Sequence, residues 1–173
     1  MKHNFFFEGL DLILRPLEVF DIESLRILRN QPQNRKWFIF DGEISQEQQL
    51  QWYEKYLITP DDYMFAVCLR HEPNNFLGAI AIYKHDKKTG YEVGRLLLNS
   101  PLMPRRGMGV EVIRMVCSSV KEWLTNETVI HLYAEVFSDN ERSLRCFKEN
   151  NFNIDGERKS KDKRLVLLSR NIQ

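Results

Sequence analysis

The sequence predicts an α/β (α+β) fold: a mixed, mostly antiparallel, twisted sheet of about six or seven strands, flanked by about four helices. Strand-like and helix-like segments follow one another in the order β-α-α-β-β-β-α-β-α-β-β. One helix in the second half connects two strand-like runs, and such a crossover makes its two strands parallel. No repeat, low-complexity tract or linker interrupts residues 1–173, so we expect a single domain.

The N-terminal part predicts one strand and two helices. Leu10 to Arg15 alternates leucines on one face, which is typical of a strand, and Pro16 ends it. Asp21 is placed to cap a first helix. The tetrad Ser45-Gln46-Glu47-Gln48 is a capping box, and it opens a second helix that runs to about Leu57.

Three strand-like runs follow. Tyr63 to Leu69 and Phe76 to Tyr83 are separated by the turn-forming residues Pro73, Asn74 and Asn75, which predicts a hairpin. Asp86 to Gly90 is a polar turn, and Tyr91 to Leu98 is the next strand.

The crossover helix is predicted from about Arg106 to Leu124, before a strand from Val129 to Val136. It is amphipathic, with one apolar stripe formed by Val112, Ile113, Val116, Val120 and Trp123. Ser138 to Glu141 forms another capping box, which opens a short helix to about Asn150. The final antiparallel pair is expected at 152–157 and 164–169.

Composition excludes several classes of protein. The net charge of +1 gives no basic face of the kind that binds nucleic acid. The cysteines have no CxxC spacing, which indicates reduced thiols in or near the core; they are Cys68, Cys117 and Cys146. The four histidines form no HxH or HxxxH pair, so we expect no metal site.

The chain has no apolar run of the roughly 18 residues that a membrane span needs, so no membrane partner is expected. The Phe5-Phe6-Phe7 run is too short for a signal peptide and predicts an edge strand or a packed arm. The expected location is therefore cytoplasmic.

The clearest chemical signal is the segment Pro104-Arg105-Arg106-Gly107-Met108-Gly109-Val110, which lies between a strand and the crossover helix. Glycines let backbone N–H groups approach a bound group, and the helix N-terminus favours an anion. The two arginines add forked, charged donors. The segment is neither a Walker A loop nor a dinucleotide-binding fingerprint, because GxxxxGK[ST] and GxGxxG are both absent. It predicts a phosphate or pyrophosphate site.

Three segments in order resemble the GNAT acetyltransferase superfamily, and the resemblance covers roughly Leu10 to Ser169. The first is Arg105-Arg106-Gly107-Met108-Gly109, which matches the family's coenzyme A loop except that Pro104 stands at its first position. The second is Glu92-Val93-Gly94-Arg95-Leu96, which is similar to the family's fourth strand. The third is residues 140–152, where Asn140 and Phe152 match. In that segment Phe147 replaces the family's frequent tyrosine and Asn151 replaces its glycine.

The resemblance implies acetyl-CoA as co-substrate and no metal. It places the pyrophosphate on Arg105, Arg106, Gly107, Met108, Gly109 and Val110, with Asn140 nearby. The pantetheine arm would add to the splayed strand as an extra strand, contacting the backbone of Leu96 and Leu98. A bulge in that strand would turn an N–H toward the thioester oxygen.

Acetyl transfer requires a deprotonated amine, and Glu92 is the best candidate for the general base. The alternative is that Glu92 is a strand-edge charge paired with a lysine. Because the family's tyrosine is missing, Tyr133 on the neighbouring strand is a candidate acid. Otherwise no acid is needed, since a thiolate is a far better leaving group than an amine.

The resemblance places the acceptor beside the first two helices, where Arg29, Arg35, Trp37 and Trp52 are candidates for substrate binding. The pattern is similar to GNAT branches that acetylate nucleotide-linked amino sugars and to branches that acetylate protein N-termini. We favour a small-molecule amine such as an amino sugar; a peptide amine and a non-catalytic coenzyme A sensor remain alternatives. The expected assembly is a monomer or a homodimer.

Overall fold

The computed structural model describes residues 2–85, 88–124, 128–160 and 162–173. It confirms the α/β fold, with eight strands and five α-helices among the described residues. The strands are β1 (Phe7–Glu8), β2 (Leu12–Pro16), β3 (Asp62–Leu69), β4 (Glu72–Lys84), β5 (Tyr91–Leu98), β6 (Ile130–Phe137), β7 (Asn153–Ser160) and β8 (Lys163–Ile172). The helices are α1 (Ile22–Asn30), α2 (Pro32–Arg35), α3 (Gln46–Ile58), α4 (Met108–Trp123) and α5 (Glu141–Lys148).

The strands hydrogen-bond in the order β1-β2-β3-β4-β5-β6-β8-β7. The β5–β6 pair, which the crossover helix α4 connects, is parallel as predicted, whereas β1–β2, β2–β3, β6–β8 and β7–β8 are antiparallel. Two elements are absent from the predicted order of strands and helices. They are β1, which pairs with β2 at the edge of the sheet, and the one-turn helix α2. The Phe5–Phe7 run therefore does supply an edge strand, through Phe7.

Two compact units make up the chain, and each combines two segments. The first unit is Met1–Ala81 with Arg95–Pro104. Its core is built on β2 and β3, whose facing residues are almost all buried. Within it the Arg15 guanidinium forms a bidentate ion pair with Asp21, at 2.6 and 2.7 Å, and both side chains are buried. This pair fixes the start of α1 to β2.

The second unit is Ile82–Gly94 with Arg105–Gln173. Helix α4 buries the predicted apolar stripe, including Val112, Ile113, Val116 and Val120. The Asn150 side chain donates to the Val110 carbonyl at 2.9 Å, which joins the end of α5 to the start of α4. Strand β6 pairs with β8 along its whole length. The prediction that residues 1–173 form one domain stays a prediction.

The hairpin between β3 and β4 turns at Arg70 and His71, not at Pro73 to Asn75 as predicted. Those residues lie in β4, and Pro73 sits at the second position of the strand, where a missing N–H is tolerated. The Arg15 side chain donates to the Pro73 carbonyl at 2.8 Å, which holds this end of β4 in the first unit. Of the predicted turn at 86–90, residues 86 and 87 lie outside the described residues.

Two helices begin later than predicted. Helix α5 is capped by Asn140, whose Oδ1 accepts from the Ser143 N–H at 3.2 Å, so the capping box predicted at Ser138 was wrong. The Ser138 N–H donates to the Arg164 carbonyl at 2.9 Å, so the sheet pairing continues to Ser138 and the helix begins three residues later, at Glu141. Helix α4 begins at Met108 because Gly107 has a φ of 83°, outside the helical range.

The described cysteines are free, and Cys68 and Cys117 are buried as predicted. No helix in the described part of the chain is both long and apolar enough to cross a membrane. Within the same residues, no three His, Cys, Asp or Glu side chains are grouped so that they could hold a metal ion.

Candidate active site

The Gly-rich turn ends in a helix N-terminus of well-defined geometry. Gly107 caps α4 in the left-handed conformation, and a Cβ at this position would meet no atom within 4 Å. The N–H groups of Val110 and Glu111 both donate to the Gly107 carbonyl, at 3.0 and 3.2 Å. The helical hydrogen bonds thus begin at Val110. Its N–H is used within the helix, although the resemblance places the pyrophosphate on this residue as well. The N–H groups of Met108 and Gly109 precede this ladder and suit an anion.

The two arginines of the turn have different surroundings. Arg105 forms an ion pair with Glu111 in the first turn of α4, while Arg106 is exposed. An exposed cation, a paired cation and a positive helix end are the donor set that a pyrophosphate needs. The residues present therefore fit the anionic part of a nucleotide-containing co-substrate.

Helix α5 carries no hydroxyl at the position that the sequence analysis singled out. Phe147 is buried and packs edge-on against Phe152, with ring centroids 5.0 Å apart. Asn151 adopts a φ of 61°, which confirms that it takes the left-handed conformation of the glycine it replaces. The Asn140 oxygen is used as the helix cap, and its role toward a ligand stays a prediction.

Glu92 lies on β5 with a side chain that is 12% exposed. Its Oε1 accepts from the Tyr83 hydroxyl at 2.7 Å, and its Oε2 lies 3.0 Å from the His85 Nε2. Among the described residues, no lysine pairs with Glu92, so the alternative of a lysine-paired edge charge has no support there. Each carboxylate oxygen keeps a second lone pair, so Glu92 can still accept a proton.

Gly94 makes this arrangement sterically feasible. A Cβ at Gly94 would lie 2.8 Å from the Tyr83 hydroxyl and 3.1 Å from Glu92 Oε1. Both distances are shorter than normal contacts, so any side chain at this position displaces the hydrogen-bonded pair. The glycine of the Glu-x-Gly segment thus serves close packing around a carboxylate.

Tyr133 is the register partner of Glu92 across the parallel β5–β6 pair. The residue is 8% exposed, and its hydroxyl has no hydrogen-bond partner among the described residues. Burial raises the pKa of Tyr133 to about 12, and the charges of Glu92 and Glu135 add to this effect. A free thiol has a pKa of about 8.5, so proton transfer from Tyr133 to a thiolate is uphill. Tyr133 is better suited to donate a hydrogen bond than a proton.

A second carboxylate on β6 differs from Glu92 in its partners. Glu135 forms ion pairs with both Lys88 and Arg158. Burial favours the neutral acid, but hydrogen bonds from Arg158 and Lys88 outweigh it and lower the pKa of Glu135. The Lys88 ammonium also lies 4.7 Å from the centroid of the Tyr133 ring. Glu135 is therefore a structural ion, whereas the partners of Glu92 within the described residues are a hydroxyl and an imidazole.

The later part of β5 belongs to the first unit. Arg95 has a φ of 51°, a break in the extended backbone just before Leu96, and its guanidinium binds Asp62 at 2.8 and 3.0 Å. Leu96 and Leu98 are half-buried. Their backbone role toward a pantetheine arm stays a prediction.

Arg29 is unsuited to direct substrate contact. It is 6% exposed and donates to the carbonyls of Gly42 and Phe40. Its guanidinium lies 4.7 Å from the Phe38 ring centroid. Burial, with the charge of Arg35 as a smaller cause, lowers the pKa of Arg29. This residue instead fixes the loop after α2.

The other acceptor candidates are more accessible. Arg35 pairs with Glu43 at 2.9 Å, and Trp37 is half-buried beneath the Lys36 ammonium, 4.6 Å from it. Trp52 stacks on Tyr56 with centroids 5.7 Å apart and an interplanar angle of 11°. Their role in binding an acceptor stays a prediction.

Sequence reasoning missed Tyr83 and His85. Tyr83 lies near the end of β4 and His85 directly follows the strand, and their rings are in contact. The sequence feature that could have identified them is a tyrosine and a histidine at alternate positions just before a polar turn. Their proximity to Glu92 follows only from the pairing of β4 with β5, which the local pattern does not specify.

Comparison with known proteins assigns the fold and the family independently of these residues. The family described as the acetyltransferase (GNAT) domain matches residues 11–153. No curated protein matches the chain.

Solved structures of low sequence identity share the fold. A GNAT-family acetyltransferase from Bacillus anthracis has a TM-score of 0.76 and 18% identity, over 97% of this chain and 98% of that one. Spermidine N-acetyltransferase from Vibrio cholerae, in complex with CoA and spermine, has a TM-score of 0.77 and 15% identity, over 94% and 96%. An aminoglycoside acetyltransferase in complex with coenzyme A has a TM-score of 0.71 and 19% identity, over 92% and 94%.

Proposed function

The chain belongs to the GNAT acetyltransferases, and on this premise we propose that it acetylates the primary amine of a small molecule such as an amino sugar. As a member of this family it is an acetyl-CoA-dependent N-acetyltransferase. The proposal concerns the acceptor and the residues that act on it. It rests mainly on one observation: Glu92 is a nearly buried carboxylate that has no cationic lysine or arginine partner among the described residues.

A carboxylate of this kind can serve as the general base. Had Glu92 been paired with an arginine or a lysine, the cation would hold it as a permanent anion, as happens at Glu135. Its partners among the described residues, the Tyr83 hydroxyl and the His85 imidazole, orient the carboxylate through hydrogen bonds. An ammonium group is not nucleophilic, so removal of one proton by Glu92 precedes attack.

Acetyl-CoA supplies the acetyl group as an activated thioester. We assign its pyrophosphate to the N–H groups at Gly107, Met108 and Gly109 and to the side chains of Arg105 and Arg106. We assign binding of the remaining parts of acetyl-CoA to three further residues: Leu96, Leu98 and Asn140. The left-handed cap at Gly107 supports this assignment, because it exposes the end of a 16-residue helix.

Tyr133 is assigned to hydrogen-bond donation at the reaction centre. Its hydroxyl is protonated at neutral pH and has no partner among the described residues. A buried donor that forms no hydrogen bond destabilises the protein by about 1–3 kcal/mol, and a bound substrate that accepts a hydrogen bond from it would remove this penalty. The departing CoA thiolate then takes the second proton of the amine and becomes the thiol, without a strong acid from the protein.

The aromatic acceptor candidates support a sugar-bearing acceptor. The rings of Trp37 and Trp52 are half-buried, so each leaves part of a face that suits stacking on a sugar. We therefore favour an amino sugar as the acceptor.

The test is an assay of free thiol release from acetyl-CoA with a panel of amines. The panel contains free and nucleotide-linked amino sugars, polyamines and N-terminal peptides, with a no-amine control to measure hydrolysis. We expect turnover with an amino sugar. Turnover only with peptides would instead identify a protein N-terminal acetyltransferase. Tight acetyl-CoA binding without turnover on any amine would identify a coenzyme A sensor.

A further inference from the structure

We propose that His85 is the proton outlet of the site: it receives the proton that Glu92 takes from the acceptor and releases it to solvent. The inference rests on the proposed function, in which Glu92 is the base. It assigns a role to a residue that the family resemblance does not include.

The geometry of the pair carries this inference. Glu92 is 12% exposed and His85 is 50% exposed, and the two side chains meet at 3.0 Å between Oε2 and Nε2. A proton on Glu92 Oε2 is therefore within one hydrogen bond of a group that contacts bulk water. The second ring nitrogen, Nδ1, is the atom from which the proton leaves.

Tyr83 makes the route directional. Its hydroxyl donates to Glu92 Oε1 at 2.7 Å, so that oxygen is already satisfied by a donor. Its ring packs edge-on against His85, with centroids 5.2 Å apart. The same tyrosine thus orients both the carboxylate and the imidazole, and the transfer takes place between Oε2 and Nε2.

The chemistry requires an outlet. An ammonium acceptor and acetyl-CoA give an amide, free CoA thiol and one proton, so each turnover leaves one proton on the enzyme. The first amine proton passes to Glu92 and then to Nε2 of His85, while a proton leaves Nδ1 for water. The second amine proton goes to the CoA sulfur. Glu92 returns to the carboxylate form, and His85 returns to a neutral ring that now carries its proton on Nε2. Proton exchange of the exposed ring with water restores the Nδ1–H tautomer, whose free Nε2 accepts the next proton, and this completes the cycle.

In the part of the chain that the structure describes, the neighbouring charged groups have other partners. Lys88 and Arg158 are held by Glu135, and Lys84 lies over the Tyr91 ring at 5.4 Å. His131 is bonded to Asn171 through Nδ1 at 2.8 Å, and no contact joins it to Glu92 among the described residues. Among the described residues, the ionisable side chains that these contacts link to this part of the sheet are Tyr83, Lys84, Lys88, Tyr91, His131, Tyr133, Glu135 and Arg158. Histidine is the side chain whose ordinary pKa suits proton exchange with water at neutral pH.

The experiment measures thiol release by wild type and His85→Ala at low buffer concentration, on the amine that the panel identifies. We expect kcat of His85→Ala to fall about 10²-fold with KM unchanged, which is the lower end of what a positioned acid–base group contributes. Added imidazole should restore much of the rate in proportion to its concentration. Glu92→Gln should be slow and should not respond to imidazole.

His71→Ala is the matched control. His71 is also an exposed histidine beside a glutamate, with Nε2 3.7 Å from Glu72 and 73% of its side chain exposed, but it lies in the β3–β4 turn. This variant should keep the wild-type rate and gain nothing from imidazole.

Two results would overturn the inference. One is an active wild type with His85→Ala within twofold of it at every buffer concentration. The other is a slow His85→Ala variant that folds normally and is not accelerated by imidazole, which would make His85 purely structural. In both cases the proposed function stands. A wild type that releases no thiol with any amine would overturn the proposed function and this inference together.

Discussion

Gly94 approaches Tyr83 so closely that a Cβ at Gly94 would lie 2.8 Å from the Tyr83 hydroxyl. Gly94→Ala should therefore displace the hydrogen bond between Tyr83 and Glu92. Both atoms in conflict are side-chain ends, so we expect the fold to adjust with a small loss of stability. Misplacement of the base should lower kcat about 10-fold or more. Steady-state kinetics with a melting curve measure both effects.

Gly156→Ala is the control for this prediction. A Cβ at Gly156 would have no atom within 4 Å, so the same chemical change should leave kcat and melting temperature unaltered. Equal activity of the Gly94→Ala and Gly156→Ala variants would show that close packing at Gly94 does not matter for catalysis.

Substitution at Gly107 tests the proposed coenzyme A loop. A Cβ there would touch nothing within 4 Å, so any cost arises from the φ of 83° alone. Gly107→Val should distort the helix end and abolish the rise in melting temperature that coenzyme A gives by mass action. Gly107→Asn is the control, because asparagine tolerates the left-handed conformation and should keep most of that rise. Unchanged coenzyme A affinity in a folded Gly107→Val protein would contradict the assignment.

The element order and the crossover were predictable because periodicity and caps are local signals. The Ser45 capping box forms as the pattern indicates. Ser138 carries a similar pattern and does not cap: its N–H continues the sheet pairing to the Arg164 carbonyl, and Asn140 caps the helix instead. Likewise, Pro73 marks no turn, since pairing with the neighbouring strand extends β4 past it. In both places long-range hydrogen bonds override a local preference.

The buried ion pair between Arg15 and Asp21 gives a stability prediction. Asp21→Asn should leave the Arg15 guanidinium buried without a counter-ion and cost about 3–5 kcal/mol of the free energy of unfolding. Glu8→Gln removes an ion pair with Arg70 in which more than half of each side chain is exposed. This change should lower the free energy of unfolding by less than about 1 kcal/mol. Urea unfolding of the two variants measures the contrast. Similar losses in both would contradict the role given to burial.

His3 should make stability depend on pH. Burial lowers the pKa of His3 from 6.5 to about 4, while its hydrogen bond with the Met64 carbonyl opposes the shift. The unfolded chain therefore binds a proton between about pH 6.5 and 4 that the folded chain does not. Stability should be full above pH 6.5 and should fall as the pH drops through this window.

His3→Phe isolates that contribution, because the aromatic packing against Phe5 and Phe65 can be retained. Between pH 7 and pH 5 the variant should lose less of its free energy of unfolding than wild type does. The same loss in both proteins would show that His3 does not titrate on unfolding.

The site was predictable in part. Glu92 and the Gly-rich turn stand out because they lie in segments with a distinctive residue spacing. Arg29 was an attractive candidate for substrate binding, but its guanidinium is buried among carbonyls, and no sequence pattern reports burial of a single arginine. Tyr83 and His85 were missed because their contact with Glu92 depends on strand register.

The central claim is that Glu92 is the base, and the pH profile of Glu92→Gln tests it most directly. The amide is nearly isosteric, so the variant should fold and keep its affinity for acetyl-CoA. On the true acceptor, kcat should fall about 10²-fold to 10⁴-fold, and the acidic limb of the kcat/KM profile should weaken or vanish. A variant within about threefold of wild type at every pH, with rates that follow the amine's own pKa across a series of acceptors, would remove Glu92 from the mechanism.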